Sequence, residues 1–89
     1  MHENSSRVAT ASSPAAIEKA ILQAANFSPV KGGQDDTCLR FASVTFSSKL
    51  PVLLTVKVED GNASITVNCE KMVFSSMLVR TVKETISSL

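Results

Sequence analysis

Few side chains in this sequence of 89 residues have the chemistry to catalyse a reaction or hold a metal, and their spacing works against both. His2 is the one imidazole, in a short polar segment with no acidic or hydroxyl partner at a defined spacing. General acid–base work needs a base held within hydrogen-bond reach of the reacting group. Cys38 and Cys69 stand 31 positions apart, with no CxxC and no clustered histidine, so the usual zinc spacings are absent. Arg40 near Cys38 would favour a thiolate, but burial in a strand acts the other way, and an inert cysteine is the reading. Asp35-Asp36 offers two adjacent carboxylates without the further oxygen ligands a hard cation requires. Lys31-Gly32-Gly33 lacks the GxxxxGK[ST] pattern of a phosphate loop and opens no helix. Serines are abundant, yet none lies in GxSxG or beside a plausible base. These residues predict a protein that is not an enzyme and takes no cofactor or metal.

The composition describes a globular module of mixed class and does not by itself say what it does. Hydrophobic residues make up 44% and charged residues 19%, enough to bury a core in one domain. Nine basic against eight acidic residues give a net charge of +1, too balanced for a polyanion-binding surface. No apolar run approaches the 18 or more residues of a membrane span. Both cysteines read as free thiols, since a disulfide framework in a small domain ordinarily uses four or more. Asn4-Ser5-Ser6, Asn26-Phe27-Ser28 and Asn62-Ala63-Ser64 fit the glycosylation sequon, and chance matches account for them.

Residues 1–12 are small and polar without period, which predicts a flexible lead-in, leaving 13–89 as the single domain. Ser13 then caps a helix over about residues 14–26, with Pro14 at its first position and Ile17, Ala20, Ile21 and Ala24 as a narrow stripe. Lys31 to Asp36 is loop by composition. From Thr37 the period becomes two, but Leu39 and Phe41 share one parity and Val44 and Phe46 the other. That conflict predicts a bulge near Ala42-Ser43. Val52, Leu54, Val56 and Val58 alternate with Leu53, Thr55, Lys57 and Glu59; past Asp60-Gly61, Ala63, Ile65, Val67 and Cys69 alternate with Ser64, Thr66 and Asn68. Asp-Gly between two alternating runs is the strongest hairpin signal in a short sequence. Lys71 to Phe74 reads as an apolar connector under the sheet edge. Ser75 or Ser76 then caps a last helix carrying Leu78, Val79, Val82, Ile86 and Leu89 on one stripe.

The expected architecture is α+β: a two-layer sandwich in which an antiparallel three-stranded meander is covered on one face by an N-terminal and a C-terminal helix, in the order α-β-β-β-α. The other face would present Leu53, Thr55, Lys57, Ser64, Thr66 and Asn68, polar but weakly charged. RNA recognition on such a sheet would need stacking aromatics, whereas Phe41, Phe46 and Phe74 fit core positions. Nucleic acid is not an expected partner.

Arg40-Phe41-Ala42, Leu53-Leu54-Thr55-Val56 and the stretch from Val67-Asn68-Cys69-Glu70-Lys71 through Met77-Leu78-Val79 resemble the extreme C-terminus of the beta subunits of adaptor-protein complex 3, a vesicle-coat adaptor. The likeness is strongest over about residues 38–82, and the long stretch through Glu70-Lys71 is its most specific part. The resemblance implies an appendage platform, a helix-covered antiparallel sheet at the end of a much longer beta-adaptin. It implies a non-catalytic interaction module that recruits accessory or tethering proteins through short peptide motifs, at the cytosolic face of Golgi and endosomal membranes and coated vesicles, in sorting toward lysosomes and vacuoles. Other adaptor subunits would be partners through regions upstream, and membrane association would be peripheral. Platforms of clathrin-associated adaptors hold peptides with tryptophan and tyrosine, and this sequence has neither. The candidate partner-binding residues are therefore those of the outer sheet face: Leu53, Thr55, Lys57, Thr66 and Asn68. The alternatives are a platform from another adaptor or coatomer beta-type subunit, and a self-associating scaffold using an exposed sheet edge.

Overall fold

The Asp60-Gly61 hairpin organises the sheet. Both residues take positive φ, 52° and 76°, as a two-residue turn that follows the strand twist requires. It joins β4 (Pro51–Glu59) to β5 (Asn62–Cys69) with Glu59 opposite Asn62, and the register runs unbroken to Val52 opposite Cys69. The computed structural model describes residues 2–24, 27–30, 37–44, 51–70 and 72–89. Over these the chain order is β1 (His2–Ala9), α1 (Pro14–Ala24), β2 (Ser28–Pro29), β3 (Cys38–Val44), β4, β5 and α2 (Met72–Ser87). The strands form one antiparallel sheet in the order β1-β5-β4-β3-β2.

The α+β class stands, and β3-β4-β5 is the expected meander. The sheet, however, has five strands rather than three. The expected lead-in over residues 1–12 is corrected by β1, whose eight residues all pair with β5, from His2 opposite Cys69 to Ala9 opposite Asn62. Its hydrophobic period is invisible because the side chains turned toward the helices include Asn4 and Ser6, with only Val8 packing on the core. Asn4 is accommodated by hydrogen bonding: its Nδ2 donates to Ser75 Oγ at 2.6 Å, across 71 residues of sequence. β2 is the other addition, two residues beside β3, ended as a ladder by Pro29.

β3 contains no bulge at Ala42-Ser43. Its pairing with β4 stays one-to-one from Cys38 opposite Lys57 to Val44 opposite Pro51. Leu39 and Phe41 go to the core, Val44 stays in the unbroken register at the opposite parity, and Phe46 lies outside the described residues. The loop Lys31 to Asp36 lies outside them too.

Ser13 caps α1 as expected, its Oγ accepting from the Ala16 N–H at 3.3 Å and its carbonyl from Ile17 N–H at 3.1 Å. α2 begins before its expected cap. Residues from Met72 are helical rather than a connector, and Val73 is 82% exposed instead of tucked under the sheet. Ser75 sits inside the helix, fully buried, as the acceptor for Asn4. From there Val79, Val82 and Ile86 continue the buried stripe at helical spacing, while Leu89 is exposed.

Both helices pack on the same sheet face: α2 lies over β1 and β5, and α1 touches α2 and β3. Their Ile17, Ile21, Val79, Val82 and Ile86 join Leu39, Phe41, Val52, Leu54, Val56, Ala63, Ile65, Val67 and Cys69 in one core. Each fully buried Val, Leu or Ile contributes about 1.5–3 kcal/mol. Phe27, just after α1, meets the Phe41 ring edge-on at a centroid separation of 6.4 Å.

Candidate functional site

With the helices on one face, the strand alternation leaves the opposite face of the sheet uncovered by any described element. Its composition follows from register. Leu53 stands opposite Asn68, Thr55 opposite Thr66 and Lys57 opposite Ser64 across β4 and β5. β3 extends these rows with Ala42, Arg40 and Cys38, and β1 extends them the other way with Glu3, Ser5 and Arg7. At about 4.8 Å between strands, the five-stranded face measures roughly 20 Å across.

All five residues expected to form a surface, Leu53, Thr55, Lys57, Thr66 and Asn68, lie on this face in two adjoining strands. Leu53 is 46% exposed between Asn68 and Ala42, an aliphatic contact point beside an amide and a small side chain. Thr55 and Thr66 are half-buried by their neighbours and form the centre of the face. Lys57 Nζ is 3.8 Å from Glu59 Oε1, and both side chains are more than half exposed. Such a solvated pair is worth at most a few tenths of a kcal/mol, so it leaves the ammonium available to a partner. Arg7 and Lys57 share the row of Ser64, Arg40 lies in the central row of Thr55, and Glu3 lies in the row of Leu53.

The sequence reasoning missed Glu3, Ser5, Arg7 and Arg40. Arg40 was readable, since it alternates with Leu39 and Phe41. The β1 residues carried a weaker signal, a charge-small-charge alternation at period two that only the pairing with β5 makes meaningful.

Among the described residues no three His, Cys, Asp or Glu side chains come together to hold a metal. Asp35-Asp36 and Lys31-Gly32-Gly33 lie outside those residues. Cys38 is half-buried on the open face and Cys69 is buried under the helices, so the two free thiols occupy opposite faces of the sheet with β4 between their strands. An open depression does occur elsewhere, on the last turns of α2, lined by Arg80, Lys83, Glu84, Ser87 and Ser88. No described helix is long and apolar enough to cross a membrane.

Comparison with known proteins gives the chain its family. Residues 1–86 match the model of the AP-3 complex subunit beta-1, C-terminal domain. The chain is 36% identical over 75 residues to AP-3 complex subunit beta-1 of Homo sapiens, a match covering 83% of this chain and 7% of that protein. The Bos taurus protein of the same name is 38% identical over 72 residues, covering 80% of this chain and 6% of the relative. The Mus musculus protein is 35% identical over 75 residues, again 83% and 7%. The chain thus spans about 7% of the length of the curated relatives it matches. No solved structure matches it. The chain belongs to the AP-3 complex subunit beta-1 C-terminal domain family.

Proposed function

We propose that this chain is a non-catalytic protein-interaction module of a vesicle-coat adaptor, and that its open sheet face docks accessory or tethering proteins. The observation that carries the reading is the contiguity of Leu53, Thr55, Lys57, Thr66 and Asn68 on the helix-free face, in a chain of the AP-3 beta-1 C-terminal family. The names of the relatives place them in a complex, which supports other adaptor subunits as further partners. In this reading the module works in cargo sorting from Golgi and endosomes toward lysosomes, vacuoles and related organelles. It stands at the cytosolic face of membranes, held there through the complex.

The ligands would be short extended peptides. Thr55, Thr66 and Asn68 offer hydrogen bonds, Leu53 an apolar foothold, and Lys57 a charge for an acidic residue. The absence of Trp and Tyr from the sequence argues for modest affinity at each contact. In this reading the single domain begins at residue 2 rather than 13, since β1 pairs with β5 along its length and bonds α2.

The test is a pull-down from cytosol with the wild-type chain and the Thr55→Glu/Lys57→Glu variant, circular dichroism confirming that both are folded. Loss of specific partners with the variant is the expected result. Equal recovery of every partner removes the open face from consideration.

A further inference from the structure

The two edges of this sheet are finished differently. β2 is two residues long and ends in Pro29, the usual means of blunting an edge against other strands. β1 has eight residues, no proline and no bulge, and among the described residues it is paired on one side only.

Its free side can be assigned from the hairpin. In a two-residue turn the closing pair, Glu59 and Asn62, exchanges hydrogen bonds, so the even-numbered residues of β5 turn their peptide groups to β4. The odd-numbered ones turn theirs to β1, where their partners are the even-numbered residues of that strand. Thr10 N–H donating to Gly61 carbonyl at 2.9 Å continues the same parity. Glu3, Ser5, Arg7 and Ala9 therefore direct their N–H and C=O groups away from the sheet.

We propose that β1 pairs antiparallel with β1 of a second copy of this chain, about a two-fold axis at Ser5, joining the two sheets into one. An antiparallel ladder across this edge must set odd-numbered residues against odd-numbered ones. With Ser5 opposite Ser5 of the second copy, Glu3 stands opposite Arg7 and Arg7 opposite Glu3, and both side chains are exposed on the open face. Centring the axis on Glu3 or Arg7 would instead oppose like charges. The Ser5 register makes about six backbone hydrogen bonds and two cross-strand ion pairs, each reinforced by the symmetry. Charges on an edge strand ordinarily discourage pairing. Here, opposite signs at equal distances from Ser5 make the Ser5 register the one in which both charges of each strand meet an opposite partner. The contact is an edge, smaller than a standard protein interface, so association is weak and dependent on concentration. It leaves the open faces uncovered and side by side, so it stands or falls independently of the peptide-docking role.

Sedimentation equilibrium of the chain from about 10 µM to about 1 mM covers the range in which so small an interface associates. The expected result is a rise from one copy toward two. Ser5→Pro removes an outward N–H without touching the ladder to β5, and it should hold the chain as a single folded copy at every concentration. Glu3→Arg and Arg7→Glu alone should each weaken association roughly tenfold. The Glu3→Arg/Arg7→Glu double variant should restore it. A wild-type chain that stays a single copy throughout overturns the proposal. So does association that survives Ser5→Pro, or a double variant no better than the single ones.

Discussion

Replacing Asn4 with alanine tests whether the N-terminal strand is an integral part of the fold. Asn4 Nδ2 and Ser75 Oγ are 2.6 Å apart, half-buried on one side and fully buried on the other. They form a side-chain hydrogen bond between the sheet edge and α2. A neutral hydrogen bond of this kind contributes about 1 kcal/mol net. Asn4 is half-buried and Ser75 has a further interaction of its own, so the cost of Asn4→Ala should stay near that figure. For a domain of this length, about 1 kcal/mol lowers the thermal midpoint by roughly 4–8 °C. Urea unfolding of wild type, Asn4→Ala, Ser75→Ala and the double variant forms a complete cycle. The expected coupling is about 0.5–1.5 kcal/mol, with Ser75→Ala the more costly single change because it leaves the Asn4 amide unpaired. A coupling near zero would mean that β1 does not lie against α2. The rows of Glu3, Ser5 and Arg7 on the open face would then fall with it.

Phe41 is fully buried at the centre of the core and meets Phe27 edge-on, so Phe41→Ala should cost about 3–5 kcal/mol in urea or thermal unfolding. A loss below about 1 kcal/mol would contradict that placement. Gly61→Ala meets no atom within 4 Å of its new Cβ, so any penalty comes from φ of 76° alone. The expected cost is about 1–2 kcal/mol without loss of fold, and a neutral result would contradict the turn geometry. A thiol reagent should label Cys38 on the native protein well before Cys69, which should react only on the timescale of unfolding. Equal rates, or a loss of both thiols to an internal disulfide, would contradict their separation on opposite faces.

Where apolar side chains alternated strictly, the sequence could be read directly. β4 and β5 came out residue by residue, because a one-residue slip would have turned Val52 to Val58 outward, and Asp60-Gly61 pinned the register. The α1 cap and its Ile17-Ile21 stripe were equally legible. β1 was not, for a physical reason: an edge strand over the flank of a core can satisfy its inward positions with hydrogen bonds. Asn4 does this through Ser75, a residue 71 positions away that local pattern cannot supply. The same contact hid the start of α2, since a buried serine inside a helix looks in sequence like a serine at its beginning. The bulge expected at Ala42-Ser43 rests on Val44 and Phe46 sharing the parity opposite to Leu39 and Phe41; the pairing runs uninterrupted through Val44, so parity alone is no reason for a bulge there. The open face was half legible: its β4 and β5 residues followed from alternation, and its outer rows had to await strand pairing.

The docking role of that face is tested most directly by site-specific photocrosslinking in cytosol. A photoreactive residue at Thr55 sits in the middle of the open face; one at Glu84 sits on the exposed side of α2. The proposed role predicts discrete protein adducts from position 55, diminished by Lys57→Glu, and none in common from position 84. Adducts from position 84 alone, or no adduct from position 55 at any protein concentration, would contradict it.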